Sequence, residues 1–275
     1  MNSPRPTVCN HDAHESPALS VIAPCLNEEG NIDCLVSRTL ASFDGLRIPA
    51  ELILVDDGST DRTWTAICES AARDPRVRGV RHDANRGIEA AWRSGMDASP
   101  AGLLCLIDAD LQNQPEDIAR LYQTYIRELP DLVQGVRHAA PGARSRQLFS
   151  RVLNFLLNAG FGMHLRDNKS GFILCRREVL ASILRHRRRY RYFQSFLGVA
   201  AGHRGYTVAE IDTAFAPRHS GRSFLGRFPV LVSLRILWEL CKFRFETWRE
   251  SGASRSSLAP TWRSAPLSNA AGTKV

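Results

Sequence analysis

An Asp-x-Asp at residues 108–110 follows directly on the apolar run Leu103-Leu104-Cys105-Leu106-Ile107. Two carboxylates on a turn that leaves a strand can converge on one hard cation, and Gln112 adds an amide oxygen two residues on. Mg2+ or Mn2+ suits that oxygen set, with a diphosphate as the cation's natural partner. A second pair, Asp56 and Asp57, closes Leu52-Ile53-Leu54-Val55 just before Gly58. Carboxylates there can accept hydrogen bonds from a base N–H or from ribose hydroxyls, by the logic of the acidic residue in dinucleotide sites. Ser59 and Asp61 read as helix-capping residues. Asn27 and Glu28, at the end of Ala23-Pro24-Cys25-Leu26, either bind base or ribose or cap a helix.

Competing chemistries fit less well. Haloacid-dehalogenase-like phosphotransferases also place Asp-x-Asp at a strand end, but in their DxDx[TV] pattern the fifth residue is Thr or Val, and here it is Gln112. No G-x-G-x-x-G follows the first strand and no G-x-x-x-x-G-K-[ST] occurs, so neither a Rossmann dinucleotide enzyme nor a P-loop NTPase is supported.

The elements that must hold these groups are readable from hydrophobic pattern. Residues 19–24, 51–57, 77–82 and 102–108 are short apolar runs, and each precedes a segment of helical spacing. Such alternation predicts an α/β fold with a mostly parallel central sheet and helices on both faces, so that the loops carrying Asn27, Asp57 and Asp108 share the carboxyl edge. After residue 137 the pattern changes to a basic helix over 144–160, a polar loop over 167–172, a helix over 176–185 and a last strand over 206–215. The division expected is a tail over 1–17, a catalytic domain over 18–225, an amphipathic helix over 226–250 and a Ser/Ala-rich tail over 251–275, both tails reading as disordered.

The chain has 275 residues and a net charge of +8, unevenly distributed. Residues 1–136 hold 12 arginines against 21 carboxylates, whereas residues 137–250 hold 21 basic residues against 7 acidic ones. An acidic half suits a cation; a basic half suits phosphates, nucleic acid or anionic lipid. The seven cysteines are widely spaced without a CxxC pair, which reads as reduced core thiols. The first 20 residues lack an apolar run of the secretory type, giving the expectation of a cytoplasmic protein. No stretch has the roughly 18 uncharged apolar residues needed to span a bilayer. Membrane contact would then be peripheral, on the inner face.

Within 230–248, Val230, Leu231, Leu234, Leu237, Trp238, Cys241, Phe245 and Trp248 recur at helical spacing, with Arg235, Lys242 and Arg249 elsewhere on the wheel. A basic amphipathic helix of this kind lies in a membrane interface, or else packs on the domain or a second protein, as a homo-oligomer or with a membrane-protein partner. The arginine run at 185–191 also suits nucleic acid, but strand-end carboxylates argue against that and no nucleic-acid partner is expected.

Seven stretches occur in a telling order: PCLNE (24–28), VDDGSTD (55–61), NRGIEA (85–90), DADLQNQPE (108–116), GVR (135–137), SGF (170–172) and RHSGRS (218–223). Together they resemble the family 2 glycosyltransferases of the GT-A fold, closest to the dolichyl- or polyprenyl-phosphate hexose synthase branch, over roughly residues 19–225. The resemblance implies a UDP- or GDP-sugar donor and an inverting hexosyl transfer to a lipid phosphate. The expected site has Pro24, Asn27, Glu28, Asp56, Asp57 and Asp108 toward the nucleotide sugar, Asp108, Asp110 and Gln112 toward the metal, and Asp110, Asp167, Arg137 and Arg218 as catalytic residues. It places Arg137, Arg151, Ser170, Arg218, Arg222 and Ser223 around donor and acceptor phosphates. The branch often has Lys after the Ser of its last motif, where this chain has Phe224, with Arg222 as the nearby charge. An acceptor phosphate is already ionised and needs no base; a hydroxyl acceptor does, and Asp167 is the candidate.

Overall fold

The computed structural model describes residues 6–9, 17–138, 144–168, 170–186, 190 and 193–217, and, beyond them, 235, 238, 239, 241–244 and 246. Strands β2 (Leu19–Cys25), β3 (Ala50–Asp56), β4 (Val77–Arg81) and β5 (Leu103–Leu106) form a parallel set in the order β4-β3-β2-β5, with α1 (Ile32–Asp44), α2 (Thr63–Arg73) and α3 (Ile88–Ala98) as the crossovers. The expected runs became strands because both of their faces are covered. Val21, Leu52 and Leu54 pack with Ile32 and Leu35 of α1, Ile67 of α2, and Ile118 and Leu121 of α4 (Asp117–Glu128). Ile22, Ile53 and Val55 face the opposite cluster, with Trp92 of α3. Burying a side chain such as Ile53 completely contributes roughly 1.5–3 kcal/mol.

The second half of the sheet turns back. Strand β7 (Ile173–Arg176) runs antiparallel to both β5 and β6 (Leu132–His138), and β8 (Val208–Ala214) closes the edge parallel to β6. The full order is β1-β4-β3-β2-β5-β7-β6-β8. Helix α5 (Arg144–Phe161) follows β6, and α6 (Arg177–Ile183) and α7 (Leu197–His203) cover the face that carries Trp92. Neither β6 nor β7 was marked out as a strand by pattern, although Gly135-Val136-Arg137 and Ser170-Gly171-Phe172 were marked as motifs.

Two further departures concern the ends. Thr7–Cys9, inside the stretch read as a disordered tail, forms β1, antiparallel to β4 with Cys9 opposite Gly79. In the segment read as an amphipathic helix, Phe243 is fully buried, its ring 5.7 Å from Tyr190 and 5.9 Å from Phe161, and Tyr190 Oη donates to Glu246 Oε2 at 2.6 Å. One face of that segment therefore packs on the domain. Of the apolar stripe expected from the sequence, Trp238 and Cys241 are described, and both are exposed; Val230, Leu231, Leu234, Leu237, Phe245 and Trp248 lie outside the described residues, as does the tail at 251–275. All seven cysteines are free, and burial pushes the Cys175 thiol up to about 12, which suits a core thiol and not a nucleophile.

Candidate active site

The carboxyl edge of β2 and β3 is closed by two loops that grip each other. Asn27, in the left-handed conformation that Asn tolerates (φ 55°), accepts from Thr60 N at 2.9 Å, and its own N–H donates to Ser59 Oγ at 2.9 Å. Glu28 N donates to Thr63 Oγ1 at 2.8 Å, and Asn31 Nδ2 donates to Glu28 Oε2. Pro24, in register with Val55, stands half-buried at this edge.

Asp56 and Asp57 are both buried. Asp56 Oδ1 accepts Ser59 N at 2.8 Å, and Oδ2 lies 3.1 Å from Arg81 Nε. Asp57 reaches a more distant segment: Oδ1 accepts Arg86 N and Oδ2 accepts Gly87 N, each at 2.8 Å, with His82 Nδ1 at 2.7 Å from Oδ1. His82 Nε2 is paired with Ser94 Oγ at 2.8 Å. The loop over 83–87 is thus hung from Asp57 and stacked on Gly58, whose φ of 77° suits glycine and whose missing Cβ would stand 2.5 Å from Ala84 C. Asp57, a candidate nucleotide ligand from the sequence, holds this loop through both of its oxygens.

Beyond β5 the chain makes a tight turn. Asp110 Oδ1 accepts Gln112 N at 3.0 Å, and buried Leu111 adopts φ 60°. A left-handed leucine costs of order 1 kcal/mol, strain of the kind found at functional sites. Asn113 Nδ2 donates to Asp108 Oδ2 at 3.5 Å, while Asn113 Oδ1 is buried without a hydrogen-bond partner among the described residues. Gln112 Nε2 donates to Ala216 O at 3.4 Å.

Opposite this turn sits Arg137, at the end of β6. Its Nε donates to Asp167 Oδ2 at 2.7 Å and its Nη2 to Asp167 Oδ1 at 3.1 Å. Burial works against the Arg137 charge, but the Asp167, Asp108 and Asp110 carboxylates outweigh it and raise its pKa. Gly171 closes the turn from the side of β7: a Cβ there would stand 3.9 Å from Asp108 Oδ1 and 3.8 Å from the Trp92 ring. Ser170 is buried beneath, its Oγ accepting Phe172 N at 3.3 Å.

The loop that presents Asp167 is held by groups the sequence reading passed over. Asn154 and Asn158, at i,i+4 on α5, accept from Asn168 Nδ2 at 2.9 Å each and donate to Leu165 O at 2.8 Å each. Glu210 Oε1 accepts Arg166 N at 2.9 Å. Two asparagines one turn apart inside an apolar helix were the available signal. Arg151, Arg218, Arg222 and Ser223 cannot be placed in the site, because the Arg151 side chain and residues 218–223 lie outside the described residues.

The donor set fits a divalent cation. Asp108 and Asp110 supply two carboxylates, and the orphaned Asn113 Oδ1 is an amide oxygen beside one of them. Among the described residues no group of three His, Cys, Asp or Glu side chains gathers. Were a cation held here by these groups, phosphate oxygens and water would complete its shell, as suits Mg2+ better than an all-protein cage does.

Similarities to known proteins agree with this geometry. The family described as Glycosyl transferase family 2 matches residues 20–184. The undecaprenyl-phosphate 4-deoxy-4-formamido-L-arabinose transferase of Pectobacterium atrosepticum is 31% identical over 224 residues, covering 81% of this chain and 66% of the relative. That of Shewanella sediminis is 33% identical over 218 residues, covering 78% and 64%. The chain thus spans slightly less than two thirds of the length of these relatives. Among solved structures, glucosyl-3-phosphoglycerate synthase from Mycobacterium tuberculosis with Mn2+, UDP and phosphoglyceric acid aligns over 88% of this chain and 80% of its own, with a TM-score of 0.61 and 22% identity. The same enzyme with Mg2+ and UDP gives a TM-score of 0.59 at 21% identity, over 88% and 81%. The architecture is the GT-A fold expected from the sequence.

Proposed function

The chain belongs to glycosyl transferase family 2, and on that premise we propose that it transfers a glycosyl group from a nucleotide-diphosphate sugar to a polyprenyl phosphate, with inversion, at the inner face of a membrane. The observation that carries the acceptor is the engagement of Asp167: both of its oxygens are held by Arg137. Asp167 is thereby committed to orienting Arg137 and does not stand open as a general base. A phosphate acceptor, already ionised, needs none, whereas a hydroxyl does. The curated relatives named for undecaprenyl phosphate support the same acceptor. They act on an arabinose derivative, a five-carbon sugar, so the sugar class expected from the sequence widens beyond hexoses.

In this reading Asp108 and Asp110, with an amide oxygen from Gln112 or Asn113, hold Mg2+ or Mn2+. The bound cation neutralises charge developing on the leaving diphosphate. Arg137 adds a fixed positive charge on the opposite side, oriented by Asp167 and so costing no reorganisation during transfer. The clasped loops around Asn27, Glu28 and Asp57 shape the nucleotide side, with Pro24 and Asp56 at their base. Arg151, Ser170, Arg218, Arg222 and Ser223 are proposed for the acceptor side.

The membrane reading draws on exposed apolar groups beside basic ones. Phe155 on α5 is 69% exposed with Val152 one turn away, and Trp238 is 58% exposed under Lys242. Among the described residues no helix is long and apolar enough to cross a membrane.

The test is nucleotide release by purified protein with Mg2+ or Mn2+, a panel of UDP- and GDP-sugars that includes hexoses and aminopentoses, and a short polyprenyl phosphate present or absent. Release that requires the lipid phosphate, and a product cleaved by mild acid, is the expected result. Donor turnover indifferent to the lipid phosphate would move the acceptor to a hydroxyl, and the absence of any donor binding would leave a silent scaffold.

A further inference from the structure

The cation loop and Arg137 meet at one side chain that the proposed chemistry does not use. Phe215 follows β8 and is half-buried. The Arg137 guanidinium carbon lies 5.3 Å from the centre of its ring, within range of a cation–π attraction. Its backbone forms an isolated antiparallel bridge with Asn113, and the adjoining Ala216 N donates to Gln112 O at 2.9 Å. Asn113 in turn donates to Asp108. The ring therefore sits against the arginine while its own backbone and that of Ala216 are fastened to the turn that carries both carboxylates.

We propose that Phe215 is a positioning residue: its ring seats the Arg137 guanidinium and its backbone anchors the 112–113 turn, so that arginine and cation loop keep one fixed separation. Asp167 fixes the guanidinium from one edge, in its own plane. The Phe215 ring, 5.3 Å from the guanidinium carbon, adds a second contact that the Asp167 pair does not supply. The next residues, Ala216 and Pro217, lead on to Arg218, so the same anchor sets where the segment toward the expected acceptor arginines begins.

This role rests on the glycosyl transfer proposed above, and its test has a readout that does not. In protein labelled at arginine, the Arg137 Hε resonance carries a ring-current shift; Phe215→Leu loses it and Phe215→Tyr keeps it. In transfer assays Phe215→Leu lowers kcat roughly 10- to 100-fold, the range of a small misplacement of a catalytic group, with donor KM within about twofold, and Phe215→Tyr restores the rate. Combined with Arg137→Lys, Phe215→Leu adds little further loss, because both act through one guanidinium. An Arg137 resonance unmoved by Phe215→Leu, or fully additive losses, would overturn the proposal. Wild-type protein that transfers no sugar would overturn the function instead, while the resonance still decides the role of Phe215.

Discussion

His82 Nδ1 stands 2.7 Å from Asp57 Oδ1, the same oxygen that accepts the Arg86 N–H. The imidazole is buried and its other nitrogen is paired with Ser94, so Asp57 is braced from α3 as well as from its own loop. Asp57→Asn puts an amide N–H against backbone N–H groups. The expected outcome is a loss of about 1–3 kcal/mol of stability, the penalty for leaving a buried partner unsatisfied. If about 1.4 kcal/mol of that falls on the loop over 83–87, nucleotide binding weakens about tenfold. Calorimetric titration with UDP or GDP, beside thermal melts, measures both.

Removing the cation should stop turnover. Chelation with EDTA abolishes nucleotide release and Mg2+ or Mn2+ restores it, while Asp108→Asn or Asp110→Asn lowers the rate at least ~100-fold, the scale of losing a principal electrostatic contact. Circular dichroism is expected to stay unchanged. A variant that keeps its metal-stimulated rate would remove this pair from the cation.

Acid should destabilise the packing around α7. Burial, aided by the Arg244 and Arg204 charges, holds His203 below its ordinary value of 6.5. The fold favours neutral imidazole, so its stabilising contribution is complete above 6.5 and is lost as pH falls from there through the folded value. The His203 ring packs edge-on against Phe161 at 5.8 Å. Melting temperature followed from pH 7.5 to 5 should fall less steeply in His203→Phe, which keeps an aromatic contact and removes the titration.

The asparagine lattice is expected to matter at a distance. Asn168→Ala deletes both side-chain bonds to Asn154 and Asn158 and should cost about 1–3 kcal/mol. Because Asp167 is the preceding residue, kcat falls while donor KM holds, a split that steady-state kinetics resolves.

Lipid contact is read out by sedimentation with phosphatidylglycerol vesicles. Wild-type protein pellets with them and less so as salt rises. Phe155→Glu together with Trp238→Glu sharply lowers the bound fraction, since each burial of such a side chain is worth roughly 1.5–3 kcal/mol. Unchanged pelleting would assign these residues to another contact.

The first half of the fold was legible because β2, β3 and β5 are covered on both faces and so read as mostly apolar runs ending in polar turns. Direction was not. Leu103-Leu104-Cys105-Leu106 and Ile173-Leu174-Cys175 have the same local character, yet one strand runs parallel to β2 and the other against β5, a difference decided only by which neighbours each strand finds. Asp108 and Asp110 were recognisable because strand and turn are adjacent in sequence. The partners of Asp57 and Asp167 were not, because His82 lies 25 residues from the one and Arg137 lies 30 from the other. Residues 7–9 failed to read as a strand because three residues carry no period, and their order comes from pairing with β4.

The reversal at β7 leaves a seam in the molecule. The residues from Pro24 to Asp110 that form this edge are laid down before the chain leaves α4, at Leu129, which is 77% exposed and left-handed. Arg137, Asp167, Ser170 and Phe215 all come after it. The two portions are joined through the β5–β7 ladder, Leu103 with Arg176 to Leu106 with Ile173, and again at the turn, where Asn113 bridges Phe215 and Ala216 N donates to Gln112 O. The site is therefore assembled from two separate stretches of chain, and the spacing between its two banks rests on the contacts that join those stretches and not on chain continuity.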